Sequence, residues 1–374
     1  MAAYTEFEMS LNRRHFMLGA LAAPVLAANK KRAATERPGI VLIVAGEVGA
    51  YMVGAYGNTE VRTPNIDRLA QTGVRFQNSF SCAPVAPDSR VFAAAGYNCG
   101  TSDSPAQTAA FVDAQAPEKP FFLSIAWPSP NAVTAPQKTL DVYAGTSFET
   151  IGWDAAAPNA THKDVLLDVP AHLRKYAAAL TTLDEQLAAL VSKLQQRGVW
   201  DNTLIVFTSN GGYLLGRHGL WGDATASDPV NMYEEIVRTP LIWAWPSRFP
   251  PQTVRNEVVN SYDLMPALCE LVGVAPPAGS HVPSYLTFVY GRRLGKKESW
   301  PNLAFGRIRD AEMARDDRYK LILRNQGKGP NEFYDETADP KEQTNQVDNP
   351  KYLGMRERLT GQLAAWRSAQ KAGA

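Results

Sequence analysis

Pro38-Gly39 leads directly into Ile40-Val41-Leu42-Ile43-Val44, five apolar residues in succession, four of them β-branched. A run this short, with no polar position on either side, predicts a strand covered on both faces. A chain that builds such a strand needs helices above and below its sheet. Ala45-Gly46-Glu47-Val48-Gly49 then stands at the strand's carboxyl end, where open α/β sheets carry their chemistry. Phe121 to Trp127 and Thr203 to Thr208 repeat the pattern, the second ending in Ser209-Asn210-Gly211-Gly212. Thr239 to Trp245 reads as a further strand.

Between these runs the helical signals are clear. Thr63 can cap a helix that has Pro64 at its first position and Asp67 near its positive end. Gly73 stops it, and Val74 to Phe80 reads as a strand. Ser89 to Ala95 predicts a short helix. Gly96 to Pro117 shows no periodicity and reads as loop. Ala171 to Gly198 is the longest helical stretch, with Tyr176, Leu180, Leu183, Leu187, Leu190, Val191 and Leu194 at helical spacing. Tyr262 to Val272 is another helix, stopped by Gly273. After residue 280 the pattern changes to short strands over Asn302–Arg307, Ala314–Arg324 and Glu332–Asp335, then a helix over Tyr352–Ser368. The expected fold is α/β: a mainly parallel sheet sandwiched by helices over residues 36–280, with a small antiparallel α+β subdomain over 281–374.

Composition narrows the function. The 374 residues, 45% of them hydrophobic, can bury a large core, and a net charge of +1 gives no electrostatic case for nucleic acid. Cys82, Cys99 and Cys269 make no complete disulfide framework, although a Cys82–Cys99 bridge stays open. The five histidines are scattered, without zinc spacing. At the N-terminus, Arg13-Arg14 precedes an apolar run from Phe16 to Ala28. That pattern is a twin-arginine signal over residues 1–28, too short to span a bilayer of about 30 Å. A periplasmic or secreted protein, without a stable membrane anchor after signal removal, is expected.

Many of these segments together resemble the sulfatase family of the alkaline-phosphatase-like superfamily, nearest its choline- and iduronate-sulfatase type. The matching pieces are Ile40–Val44 with its loop, Tyr56-Gly57-Asn58, Thr63–Ala70, Gly73–Phe76, Ser89-Arg90 with Gly96, and Lys119–Phe122. Further on come Gly198–Thr203, Phe207–Ser209, Leu215–Trp221, Arg238–Ile242, Arg318-Tyr319-Lys320, Phe333–Asp335, Asp339-Pro340 and Glu342. The resemblance implies hydrolysis of sulfate esters, with a calcium ion held by an acidic loop and an Asp-His or Asp-Asn pair. It also implies a cysteine matured to formylglycine as nucleophile, with lysines, an arginine and histidines handling charge and protons.

The same alignment of motifs exposes departures. The two adjacent aspartates of the first loop are Gly46 and Glu47. Counting back from Arg90 and Gly96 places Ala86 at the nucleophile position. The pair after the third strand reads Asn210-Gly211, and Asp223 stands where a lysine is expected. The segment between Gly96 and Lys119 is short and lacks the family's Lys-Trp-His element. Trp127-Pro128-Ser129-Pro130-Asn131 lacks the expected histidine. Arg90 keeps its place as an anion contact or a salt bridge beneath the loop, and His218 as a weak proton-donor candidate in a motif suited to packing. Cys82 reads as a small buried side chain. Glu47 and Asn210 are the remaining metal candidates, so calcium is implied by the family and doubtful here. The leading expectation is an exported, catalytically degenerate sulfatase relative that binds a sulfated carbohydrate or another anionic small molecule. The runner-up is an active sulfate- or phosphate-ester hydrolase using Ser89, Ser81 or a metal-activated water. A structural partner of an intact paralogue is a third reading, without a distinct patch to support it.

Overall fold

A computed structural model of the chain describes residues 37–82, 85, 88–116, 118–276, 284–295 and 299–372. The twin-arginine segment, Ala86 and His281 lie outside the described residues. Eleven strands are seen: β1 (Gly39–Ala45), β2 (Val74–Phe80), β3 (Asn98–Ser102), β4 (Phe121–Trp127), β5 (Thr203–Ser209), β6 (Leu241–Ala244), β7 (Thr253–Asn260), β8 (Ala304–Ile308), β9 (Ala311–Arg315), β10 (Tyr319–Arg324) and β11 (Glu332–Asp335). The helices used below are α1 (Pro64–Gln71), α2 (Ser89–Ala94), α3 (Pro105–Asp113), α4 (Val169–Gln196), α5 (Glu234–Val237), α6 (Leu264–Val272) and α7 (Leu353–Ala372).

The first seven strands form one sheet in the order β3-β4-β1-β5-β6-β2-β7, and the last four an antiparallel sheet in the order β11-β10-β9-β8. In the larger sheet only β6 runs against its neighbours. The apolar run of β1 explains its central place. Val41, Ile43 and Ala45 join the α1 and α4 layer with Leu180, Leu183 and Leu187. Ile40, Leu42 and Val44 join the opposite layer with Phe92 of α2 and Leu264 and Leu268 of α6. Alternate side chains thus serve two cores, which only a strand apolar throughout can do. In the second sheet, Leu321, Leu323 and Phe333 pack against Leu359 and Leu363 of α7.

Several local expectations need correction. Gly96 to Pro117 holds β3 and α3 rather than loop. β3 lies at the sheet edge, pairs only with β4 and is largely uncovered, so its sequence needs no apolar alternation. Ser104 caps α3, and Pro105 fills its first position. Ala314–Arg324 spans the end of β9 and all of β10, which pair as a hairpin. β7, with its Arg-Asn-Glu centre, is the opposite edge and escaped the pattern reading for the same reason. The three cysteines are free, and the Cys82 thiol sits against Gly306, its acidity pushed down by burial to a pKa of about 12.

Candidate functional site

Parallel register brings three loops to one edge of the sheet. Ala45 faces Trp127 on one side and Ser209 on the other, so Gly46, Pro128 and Asn210 leave the sheet together. The Gly46 N–H donates to the Trp127 carbonyl at 3.0 Å, and the Asn210 N–H donates to the Ala45 carbonyl at 2.9 Å. The Ser209 hydroxyl accepts from the Val48 N–H at 3.1 Å. The sequence therefore located this edge correctly, as the carboxyl end of its most apolar strands.

What the edge presents is a set of internal contacts. Glu47 takes a left-handed φ of 54°, uncommon for a residue with a side chain. Its carboxylate accepts a hydrogen bond from the Ser129 hydroxyl. Its carbonyl accepts one from the Tyr176 hydroxyl at 2.6 Å. The Asn210 side-chain oxygen accepts from the Val85 N–H at 2.6 Å, tying β5's end to Val85. At Gly46, an added Cβ would stand 2.8 Å from the Ser129 backbone nitrogen. The turn after β4 occupies the space that any larger residue would need.

The other candidates are dispersed. Arg90 lies at the start of α2 with its side chain 90% exposed, and both its Nε and Nη2 donate to Asp88 at 2.8 Å. The guanidinium beside Asp88 holds that carboxyl below the usual range. Ser89 has no hydrogen-bond partner for its hydroxyl among the described residues, and Ser81 is buried, donating to the Asn210 carbonyl at 3.3 Å. Asp223 caps a turn by accepting from the Thr225 N–H at 2.8 Å. Among the described residues no three His, Cys, Asp or Glu side chains cluster in a way that could hold a metal ion. Burial, then the nearby charges of Glu47 and Asp223, push the Tyr213 hydroxyl up to about 12, so the charges felt there are negative.

His218 belongs to a second, well-ordered group. Its ring stacks on Tyr233 with centroids 3.6 Å apart, and its Nε2 lies 3.2 Å from Glu235. Arg217 donates to the same carboxylate at 2.6 Å. Burial opposes the Glu235 charge, but the bond from His218 and the Arg217 cation hold its pKa down to about 2. Sequence reading missed Ser129, Glu235 and Arg217 as partners, since each pairing joins residues far apart in the chain or on different loops. Gly219 explains why the motif around His218 is so constrained. It has φ of +65°, and an added Cβ would lie 2.0 Å from the Ala155 carbonyl. Gly219→Ala should therefore cost at least about 2 kcal/mol in denaturant unfolding, by strain and by separating the two loops.

Comparison with known proteins bears on this centre. The sulfatase family profile matches residues 87–274, and the N-sulphoglucosamine sulphohydrolase C-terminal profile matches residues 222–369. An ulvan-active sulfatase of Formosa agariphila is 25% identical over 431 aligned positions, covering 91% of this chain and 82% of that protein. That aligned length exceeds the 374 residues of the chain, so the relative carries segments absent here. An N-acetylglucosamine-6-O-sulfatase of Bacteroides thetaiotaomicron is 29% identical over 198 residues, half of this chain and 34% of the relative's own length. Among solved structures, the phosphonate monoester hydrolase of Agrobacterium radiobacter superposes with a TM-score of 0.74 at 17% identity, covering 89% of this chain and 96% of that one. A protein solved with its substrate D-glucosamine-2-N,6-O-disulfate superposes with a TM-score of 0.76 at 18% identity, covering 90% and 99%.

Proposed function

The chain belongs to the sulfatase family, and from that premise we propose that it is an exported member whose catalytic centre no longer hydrolyses esters and which acts by binding a sulfated or otherwise anionic carbohydrate. The observation that carries this reading is the engagement of both remaining metal candidates. Glu47 is spent on Ser129 and Asn210 on Val85, and the turn at Ser129 excludes a side chain at Gly46. Calcium needs six to eight oxygens, several of them carboxylate. This donor set does not fit it, and no step is routed through a metal. Nor do the groups on hand replace the missing nucleophile. Among the described residues Ser89 lacks a base within hydrogen-bond reach, and Arg90 is neutralised by its own neighbour. Sulfated carbohydrates are the named substrates or targets of relatives, which supports that ligand class.

Two measurements test the proposal. Purified protein should show no turnover of an aryl sulfate or aryl phosphate with calcium or manganese present. Turnover abolished by Glu47→Ala or Ser89→Ala would establish an active hydrolase instead. Millimolar calcium should move the melting temperature by less than about 1 °C, whereas a site filled a hundredfold above its Kd adds about 2.7 kcal/mol.

A further inference from the structure

We propose that the cleft bounded by Trp153, Asp154, Arg217, Lys341 and Gln343 is a carbohydrate subsite, taking a sugar ring on Trp153 with an anionic substituent toward Lys341. The inference rests on the reading that this chain binds carbohydrate, and it moves the ligand away from the Glu47 edge, where the charges are negative.

The loop carrying Trp153 is fixed on every side. The Asp154 N–H donates to the Gly216 carbonyl at 3.0 Å, and the His218 N–H donates to the Asp154 carboxylate at 2.7 Å. Arg217 Nε donates to the Ile151 carbonyl at 2.8 Å, while its Nη1 is held by Glu235. Ile151 and Phe148 anchor the loop in the core. On this rigid support Trp153 is 43% exposed, with no ring, cation or hydrogen-bond partner for its indole among the described residues. A pre-ordered aromatic face loses little entropy on binding.

Beside it lies a cavity of about 110 Å³, lined by the Trp153 loop together with Arg217, His218, Glu235, Lys341 and Gln343. That space admits a substituent but not a whole sugar ring, so the ring must lie outside, over the indole. The lining mixes donors and acceptors, as a hydroxylated ligand requires. Lys341 and Gln343 are exposed and make no side-chain bond among the described residues, so both are free to engage. Glu235 is already neutralised by Arg217, which leaves Lys341 as the uncommitted cation of this lining among the described residues. The apolar face of a sugar ring suits the indole, its hydroxyls suit Asp154 and Gln343, and a sulfate or carboxylate suits Lys341.

Calorimetric titration of the full chain with D-glucosamine-2-N,6-O-disulfate, and separately with D-glucosamine, tests this. The disulfate should bind more tightly than the unsulfated sugar. Trp153→Ala should weaken both at least tenfold while the melting temperature stays unchanged. Lys341→Met should weaken only the disulfate, removing its advantage and most of its salt dependence. If both variants titrate like the native protein, the subsite is wrong. If binding is lost instead in Glu47→Ala or Arg90→Ala, the carbohydrate-binding reading stands and the ligand sits at the old catalytic edge. If the native protein binds neither sugar, the subsite falls, whereas ester turnover overturns only the loss of catalysis.

Discussion

Replacing Asp184 by alanine should lower the unfolding free energy by about 3–5 kcal/mol, among the largest single losses available in this fold. Asp184 lies in α4 and is fully buried. Its carboxylate accepts from the Asn65 N–H at 3.1 Å, from the Ile66 N–H at 2.8 Å and from the Asn65 side-chain amide at 2.7 Å. The two backbone donors are first-turn N–H groups of α1, which have no partners within the helix. Burial raises the Asp184 pKa to about 6, yet the three donors keep it usable as an anion near neutrality. Alanine would strand those donors in an apolar layer and leave a cavity besides. Asp184→Asn, which keeps one acceptor oxygen, should lose roughly half as much. Urea unfolding of the three proteins checks the ranking, and equal stability of Asp184→Ala and the native chain would refute it.

That contact corrects the reading of α1. The sequence has every local start signal, but the Thr63 side chain does not cap the helix. Its hydroxyl accepts from the Gly54 N–H at 2.9 Å, and Asp67 accepts from the Ala55 N–H at 2.6 Å. Thr63 and Asp67 thus hold the segment that follows the Glu47 loop, and a residue over a hundred positions away does the capping. The family motif over Thr63–Asp67 is therefore scaffold.

The same division explains what was legible elsewhere. β1, β4 and β5 were readable because a strand buried on both faces must be apolar throughout. β3 and β7 were not, because an edge strand has only one ladder partner and one half-covered face to satisfy. The placement of Glu47 and Asn210 at one sheet edge followed from strand ends. Their hydrogen bonds to Ser129 and Val85 did not, because sequence spacing carries no information about which loop folds over which. Arg90 kept its spacing to Gly96 yet points to solvent with Asp88, so spacing alone did not fix its direction. Trp153 itself lies in no motif, although Arg217 and His218 of the same cleft belong to the Leu215–Trp221 segment.

The second large effect concerns the charges beneath the two sheets. Lys320 of β10 is fully buried and touches Glu342, lies 3.4 Å from Glu234 and donates to the Met232 carbonyl at 3.0 Å. Arg315 of β9 bonds Glu234 at 3.1 Å and approaches Glu336 at 3.9 Å. Glu342 also accepts from the Glu234 N–H at 2.6 Å, so the cluster fastens α5 of the larger layer to the antiparallel sheet. Three carboxylates face two cations, all of them largely buried. Burial, then repulsion from Glu234, raises Glu336 to about 7, and burial alone is the main cause that raises Asp263 to about 7. Both groups have folded pKa values above their unfolded ones near 4, so each is neutral in both states at low pH. As pH climbs from about 4 to about 7 the folded state must resist ionisation that the unfolded chain accepts, and stability falls by up to a few kcal/mol. Glu234 and Glu235, held near 2, act oppositely and lose their contribution below about pH 4. The native protein should therefore be most stable near pH 5 and weaker at pH 8. Lys320→Met removes a buried cation and leaves its carboxylates unpaired, a change of about 3–5 kcal/mol at pH 8. At pH 5 those carboxylates can take up protons instead, so the loss should shrink by at least about 1 kcal/mol. Denaturant unfolding of both proteins at the two pH values decides it: an identical loss at pH 5 and pH 8 would mean the lysine acts only through packing.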